Sequence, residues 1–257
     1  MLLPLQRGIL YGPVHSRRYG RSLGINLMPS EYKVCSFNCI YCHYGWTKTC
    51  TMDMSEHVAD MPALGDAVQA VEQALKSPAE FELITFSGNG EPTLYPDFAE
   101  LVDAVVGLRD RHRPFVSVAL LSNATGLVHL KVRESILKLD LPVFKLDCGT
   151  EKTFLAMNRP DKTVRFDEIA EALAATKDIY LQTVMIDGTP SNTEHRELQA
   201  YIEKVGRIRP REVHMYSIDR PAPDAHISLV PPERLAQIAA QVQTETGIPV
   251  KTFAARK

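Results

Sequence analysis

The run Cys35-Ser36-Phe37-Asn38-Cys39-Ile40-Tyr41-Cys42 places three of the chain's five cysteines within eight residues, spaced C-x3-C-x2-C. The other two are Cys50 and Cys148. A disulfide framework would spread its cysteines to close loops, so this clustering argues for a reducing compartment and a bound metal. Thiolates at this spacing on a compact loop suit three corners of a cubane iron–sulfur cluster. The fourth iron is then left without a protein ligand, open to bind and transform something. The same spacing also suits a structural zinc site completed by Cys50 or His43. His43 directly follows Cys42, and adjacent residues seldom both reach one metal, so Cys50 is the better candidate. Spacing alone leaves both metals open.

These residues need elements to position them. Apolar runs at Leu23–Leu27, Glu82–Phe86, Phe115–Leu121, Val143–Leu146, Ile179–Ile186 and Val213–Ile218 predict six strands, with helical patterns between them. Pro62 precedes an Ala/Val/Leu-periodic stretch reaching Leu75, and Pro96 opens a helix over Asp97–Arg109. Ser191-Asn192-Thr193-Glu194 reads as a capping box, with Glu194 reaching back to the cap's amide. Pro231 and Pro232 precede a last helix ending near Gly247, and Ile248–Phe253 predicts a final edge strand. Strands alternating with helices predict an α/β fold of βα units on a parallel sheet. Six units are too few for a closed eight-stranded barrel and suit a partial, TIM-like (βα)6 barrel open on one side. With no repeat, low-complexity tract or long linker, 1–257 is expected to be one domain: a cluster loop over 28–50, a core over 22–220 and a C-terminal helix and edge segment over 221–257.

Composition bounds the function. The chain has 257 residues, is 45% hydrophobic and carries 29 basic against 31 acidic side chains. It is long enough to bury a large core without staples. A net charge of −2 gives no global field for nucleic acid or an anionic membrane, so strong general nucleic-acid binding is not expected. No apolar run reaches membrane-spanning length and the N-terminal apolar stretch is short for a signal peptide, so a cytoplasmic protein is expected.

The cysteine motif, with Tyr41 just before its last cysteine, resembles the signature of the radical S-adenosylmethionine superfamily. Ser87-Gly88-Asn89-Gly90-Glu91-Pro92 at the end of the second predicted strand resembles that family's glycine-glycine-glutamate motif. Gly12-Pro13-Val14-His15-Ser16-Arg17-Arg18, Gly20-Arg21-Ser22-Leu23-Gly24, Lys145-Leu146-Asp147 and Gln182-Thr183-Val184 look like segments of a subgroup similar in its core to the tRNA wyosine-base synthases. The resemblance covers about Gly12 to Arg220. It implies a [4Fe–4S] cluster on Cys35, Cys39 and Cys42, with S-adenosylmethionine on the open iron. The implied chemistry is reductive cleavage to a 5′-deoxyadenosyl radical that abstracts hydrogen from a substrate. It also implies an electron donor such as flavodoxin or ferredoxin.

The same resemblance assigns roles. Glu91 would meet the methionine ammonium, while Gly88, Asn89 and Gly90 would let backbone approach the cofactor. The plain alternative is a strand-to-helix turn. Tyr41 would lie against the adenine, or else be a core aromatic. Asp147 could bind ribose hydroxyls and Gln182 the nucleoside or substrate, though both could be satisfying local backbone groups. Tyr216, with Ser217, could line the adenine pocket, while Met215 suits the core. Arg17, Arg18 and Arg21 could hold a carboxylate or phosphate, or form a solvated loop. Arg207, Arg209 and Arg211 read as solvent-facing. His43, Trp46 and Lys48 could border the site, with His43 as an acid or base. Cys50 and Cys148 read as free buried thiols, and Cys148 could face substrate.

One departure matters. Archaeal wyosine synthases carry three further cysteines for a second cluster, and only two remain here. The substrate could therefore be a small molecule, a nucleotide or a peptide. A glycyl-radical-enzyme activase, a tRNA-base-modifying enzyme and a zinc-stapled α/β binding module stand as alternatives.

Overall fold

A computed structural model describes residues 2–16 and 18–253. Arg17 lies outside the described residues. The chain divides into two compact units, one of Leu5–Ser36 with Lys48–Val143, the other of Met1–Pro4, Phe37–Thr47 and Phe144–Lys257.

The first unit opens with an antiparallel hairpin, β1 (Leu10–Ser16) on β2 (Gly20–Asn26), and a short parallel pair, β3 (Val34–Cys35) with β4 (Thr49–Cys50). It continues through α1 (Leu64–Lys76), β5 (Leu83–Ser87), α2 (Phe98–His112), β6 (Ser117–Ser122), α3 (Leu130–Ile136) and the first part of β7 (Leu141–Lys145). The strands β2, β5 and β6 pair in parallel, with Leu23 opposite Ile84 and Ile84 opposite Val118. These positions are buried, as continuous apolar strands covered by helices must be. Helix α1 buries Ala67, Val71 and Leu75 at four-residue spacing, which gives one apolar stripe. Asp97 caps α2 without a side-chain bond, and the helix runs on to His112, past the expected Arg109.

The second unit carries α4 (Glu151–Met157), α5 (Phe166–Ala175), β8 (Tyr180–Gly188), α6 (His195–Ile208), β9 (Glu212–Ser217), β10 (Ile227–Leu229), α7 (Pro232–Thr246) and β11 (Val250–Phe253). In it β8 pairs with β9 and β9 with β11, both in parallel, while β10 lies antiparallel on β8. Pro232 starts α7, where its missing N–H costs nothing, and Gly247 ends it in the left-handed region at φ 71°. The expected edge strand is thus present as β11.

Among the described residues the architecture is the expected α/β one, a mostly parallel sheet with no closed barrel. No helix is long and apolar enough to cross a membrane. Three expectations need correction. The hairpin strand β1 was not foreseen. The strand expected from Phe115 starts at Ser117, and Phe115 is 82% exposed. The capping box at Ser191–Glu194 does not form. Glu194 occupies the cap of α6 with no side-chain bond. Ser191 instead accepts from the Thr193 N–H at 3.1 Å, and Asn192 bonds the backbone of Ile186, Val184 and Asp147. Strand backbone takes the Asn192 side chain and Ser191 turns to Thr193, so neither serves the helix start.

Candidate functional site

In the first unit the chemistry-bearing residues gather where β5 and β6 end. Cys35 closes β3 and is buried, and its ladder partner in β4 is Cys50. The Cys50 thiol is half-buried rather than buried as expected, and donates to the Ser36 carbonyl at 3.5 Å. After β5, Gly88 adopts φ 119°, where a side chain would collide with Asn26. At Gly90 a Cβ would lie 1.8 Å from the Val34 carbonyl oxygen, so the turn presses directly on the strand that carries Cys35. Asn89 is fully buried. Its side chain bridges the Gln6 N–H at 2.7 Å, the Gln6 carbonyl at 2.8 Å and the Pro29 carbonyl at 2.9 Å.

Glu91 is 2% exposed and its carboxylate collects four donors. Oε1 accepts from Thr93 N (3.1 Å), Thr93 Oγ1 (2.6 Å) and Ser122 Oγ (2.7 Å), and Oε2 from Asn123 N (2.6 Å). Burial raises its pKa and these donors partly offset the rise. Asn123, next along, sends its amide toward Cys35 Sγ at 3.7 Å and Ser36 Oγ at 2.8 Å. Nothing in the sequence analysis had singled out Asn123, although a polar Ser-Asn-Ala-Thr-Gly run directly after an apolar strand is a signal for it.

In the second unit Cys39, Tyr41 and Asp147 meet around Asn158. Tyr41 is buried and donates its hydroxyl to Asp147 Oδ2. Asn158 Nδ2 reaches Tyr41 Oη at 2.9 Å, Asp147 Oδ2 at 3.0 Å and Cys39 Sγ at 3.5 Å. Asp147 Oδ1 also accepts the Val184 N–H at 2.9 Å, so β8 backbone holds it in place. Lys145 Nζ lies 3.8 Å from Asp147 Oδ2 and 5.1 Å from the Tyr41 ring centroid. Burial alone would lower the Lys145 pKa, but Asp147, then Tyr216 and the neighbouring thiols, leave it raised. Burial lifts the Tyr41 hydroxyl well above its usual range, helped by Asp147. It also raises the Cys39 thiol, with Lys145 as the chief counterweight. A bound metal would reverse that rise by replacing the proton.

The remaining expected residues divide. Gln182 on β8 is buried and faces His214 in the ladder, while Tyr216 on β9 is half-buried and faces Val184. Met215 and Ser217 are buried. Cys42 is half-buried. His43 Nε2 lies 3.6 Å from Asp219, and the exposed Trp46 carries the Arg159 guanidinium at 4.9 Å. Cys148 is buried and its thiol pKa is pushed well up by desolvation, as a core thiol's would be. Arg21 is exposed and paired with Glu80 and Glu82. Arg207, Arg209 and Arg211 are exposed, as expected. Among the described residues no three Cys, His, Asp or Glu side chains are grouped as ligands of one metal ion would be.

Comparison with known proteins adds to this geometry. A UPF0026 protein of Helicobacter pylori (strain 26695) is 32% identical over 222 residues, covering 83% of this chain and 67% of that protein. A UPF0026 protein of Methanocaldococcus jannaschii is 31% identical over 90% of this chain and 70% of its own length. A Brachyspira hyodysenteriae protein named GTPase Obg is 29% identical over 82% of this chain, which spans only 30% of that protein. Among solved structures, Streptococcus suis SuiB bound to S-adenosylmethionine superposes with a TM-score of 0.62 at 14% identity, over 88% of this chain and 49% of SuiB. TYW1 with a lysine-pyruvate adduct gives 0.58 at 16% identity, over 88% and 75%. At such identities the likeness is one of fold. The model of the Radical SAM superfamily, whose members are enzymes that bind a [4Fe–4S] cluster and S-adenosylmethionine, matches residues 32–204, well over half of the chain, and the chain belongs to that superfamily.

Proposed function

We propose that Cys35, Cys39 and Cys42 are the cluster ligands of this enzyme and that S-adenosylmethionine binds beside them. The observation that carries this reading is the cysteine triplet itself, which lies inside the matched segment. The donor set suits the group. Two of the three sulfurs are buried, and each lies within reach of an asparagine amide, as ligands of a cluster in a dry site do. When bound, cluster and cofactor together supply a 5′-deoxyadenosyl radical able to take hydrogen from an unactivated C–H bond of a substrate.

The chain's own residues bind, orient and exclude water. Gly88, Asn89 and Gly90 bring bare backbone up to the cofactor, and the buried links of Asn89 to Gln6 and Pro29 keep that turn rigid. Glu91, held by four donors, offers a fixed anionic group for the methionine ammonium. Tyr41 and Tyr216 supply aromatic surface for adenine, while Gln182 and Asp147 supply polar contacts to the nucleoside. Asp147 is itself fixed by Tyr41, Asn158 and the β8 backbone. A one-electron reductant of the flavodoxin or ferredoxin class completes the system. The grouping of three of the five cysteines as cluster ligands suits a reducing, cytoplasmic setting. The substrate belongs to the small-molecule, nucleotide or peptide class. Nucleotide hydrolysis, in the name of one relative, is no part of this reading, because the shared segment is 30% of that protein.

Anaerobic reconstitution tests the ligand assignment. Wild type should turn brown and carry about four irons and sulfides. Cys35→Ala, Cys39→Ala and Cys42→Ala should each lose the colour while Cys148→Ala keeps it. Reduced wild type given S-adenosylmethionine should release 5′-deoxyadenosine. A colourless protein holding one zinc would overturn the reading.

A further inference from the structure

Two of the proposed ligands, Cys35 and Cys39, have an asparagine amide at the sulfur. We propose that Asn123 and Asn158 are positioning residues that donate side-chain N–H groups to the sulfurs of Cys35 and Cys39 and thereby set the electron affinity of the cluster. This inference rests on the ligand assignment above.

The amide orientations are fixed by partners that can act in only one way. Asn123 Oδ1 accepts from the Thr125 N–H at 3.0 Å and from Thr125 Oγ1 at 2.7 Å. A backbone N–H is a donor only, so the oxygen of Asn123 faces Thr125 and its NH2 faces Cys35, at 3.7 Å from the sulfur. Its second proton goes to Ser36 Oγ at 2.8 Å. Asn158 is fixed by a carboxylate. Asp147 Oδ2, an acceptor at 3.0 Å, requires the Asn158 nitrogen on that side; the second proton of the same NH2 is shared between Tyr41 Oη at 2.9 Å and Cys39 Sγ at 3.5 Å.

Both asparagines are anchored by backbone as well. The Asn123 N–H is held by Glu91, and that same carboxylate takes the hydroxyls of Ser122 and Thr93. Asn158 caps the end of α4, and its carbonyl accepts the Asn38 N–H at 3.0 Å while Met157 accepts the Ile40 N–H at 3.0 Å. In each unit an asparagine is therefore clamped to the segment that carries a cysteine. Asn123 is 6% and Asn158 1% exposed, so little water competes for their protons.

An N–H aimed at a ligand sulfur stabilises negative charge there, and the reduced cluster carries one more electron than the oxidised one. Each donor therefore favours reduction. A residue that only braced the loop would leave the potential unchanged.

Asn123→Ala and Asn158→Ala, reconstituted anaerobically and titrated with the cluster signal followed by electron paramagnetic resonance, should retain iron and sulfide. Each should lower the reduced-to-oxidised ratio at a fixed applied potential about tenfold, and the double variant by more. Wild type labelled with 15N at asparagine side-chain amides should also show weak 15N couplings to the reduced cluster in pulsed spectra, a measurement that needs no variant to fold. Variants with full iron content and unmoved potential, or wild type without the couplings, would sink the inference while leaving the ligand assignment intact. Wild type that binds no iron and sulfide would end both.

Discussion

Glu91 shows how far one residue's surroundings can be read and what they demand. Its carboxyl pKa is raised because burial strips it of water faster than Thr93, Ser122 and Asn123 can compensate. The folded chain therefore holds the proton more readily than the unfolded chain. The contribution of Glu91 to stability is full below the ordinary carboxylate range and is lost as pH rises through the raised value. Glu91→Gln cannot titrate. Its stability relative to wild type should increase with pH across that window in urea titrations at successive pH values, and a difference flat in pH would contradict this. The sequence made Glu91 visible because it follows two glycines and precedes Pro92, and it made the cysteines visible by their spacing. It could not reveal which cysteine each asparagine meets. Asn123 is 88 positions from Cys35 and Asn158 is 119 from Cys39, and such contacts leave no trace in a local pattern.

At the scale of elements, helix α4 is a strut held at both ends. Its first turn is tied to α6 through Glu197, which accepts from Gly149 N (2.5 Å), Thr150 N (3.3 Å), Thr150 Oγ1 (2.6 Å) and Thr153 Oγ1 (2.7 Å). A Cβ on Gly149 would lie 2.0 Å from the Tyr201 nitrogen, so this end also depends on bare backbone. Its last residues, Met157 and Asn158, grip the chain at Asn38 and Ile40. Glu197→Ala leaves several buried donors unpaired and should cost about 2–3 kcal/mol in urea unfolding, with Glu197→Gln recovering part. Near-wild-type stability in the alanine variant would show that the tie is idle. The six long strands were legible because apolar runs between helical patterns mean buried parallel strands. The strand β1 was not, because an exposed edge strand such as LYGPVHS lacks the apolar signature. Short helices such as α3 and α4, seven residues each, carry too few turns for a period to stand out.

On the scale of the whole molecule, the chain passes from one unit to the other at Pro4/Leu5, Ser36/Phe37, Thr47/Lys48 and Val143/Phe144. Neither unit is a continuous stretch that could be cut out. We propose that 1–257 behaves as a single domain, and differential scanning calorimetry should then show one transition whose calorimetric and van't Hoff enthalpies agree. Two resolved transitions would defeat the proposal. The cysteine motif itself straddles such a passage, with Cys35 before Ser36/Phe37 and Cys39 and Cys42 after it.

That threading also sets an order in time. During synthesis Cys39 leaves the ribosome 119 residues ahead of Asn158, and Cys35 leaves 88 ahead of Asn123. At about 5–20 residues per second the thiols wait roughly 4–24 s before their amide partners emerge. Through that interval they belong to a nascent loop open to oxidants and stray metal ions. On the proposed ligand assignment, the amides that face these sulfurs are in place only after Asn158 has emerged.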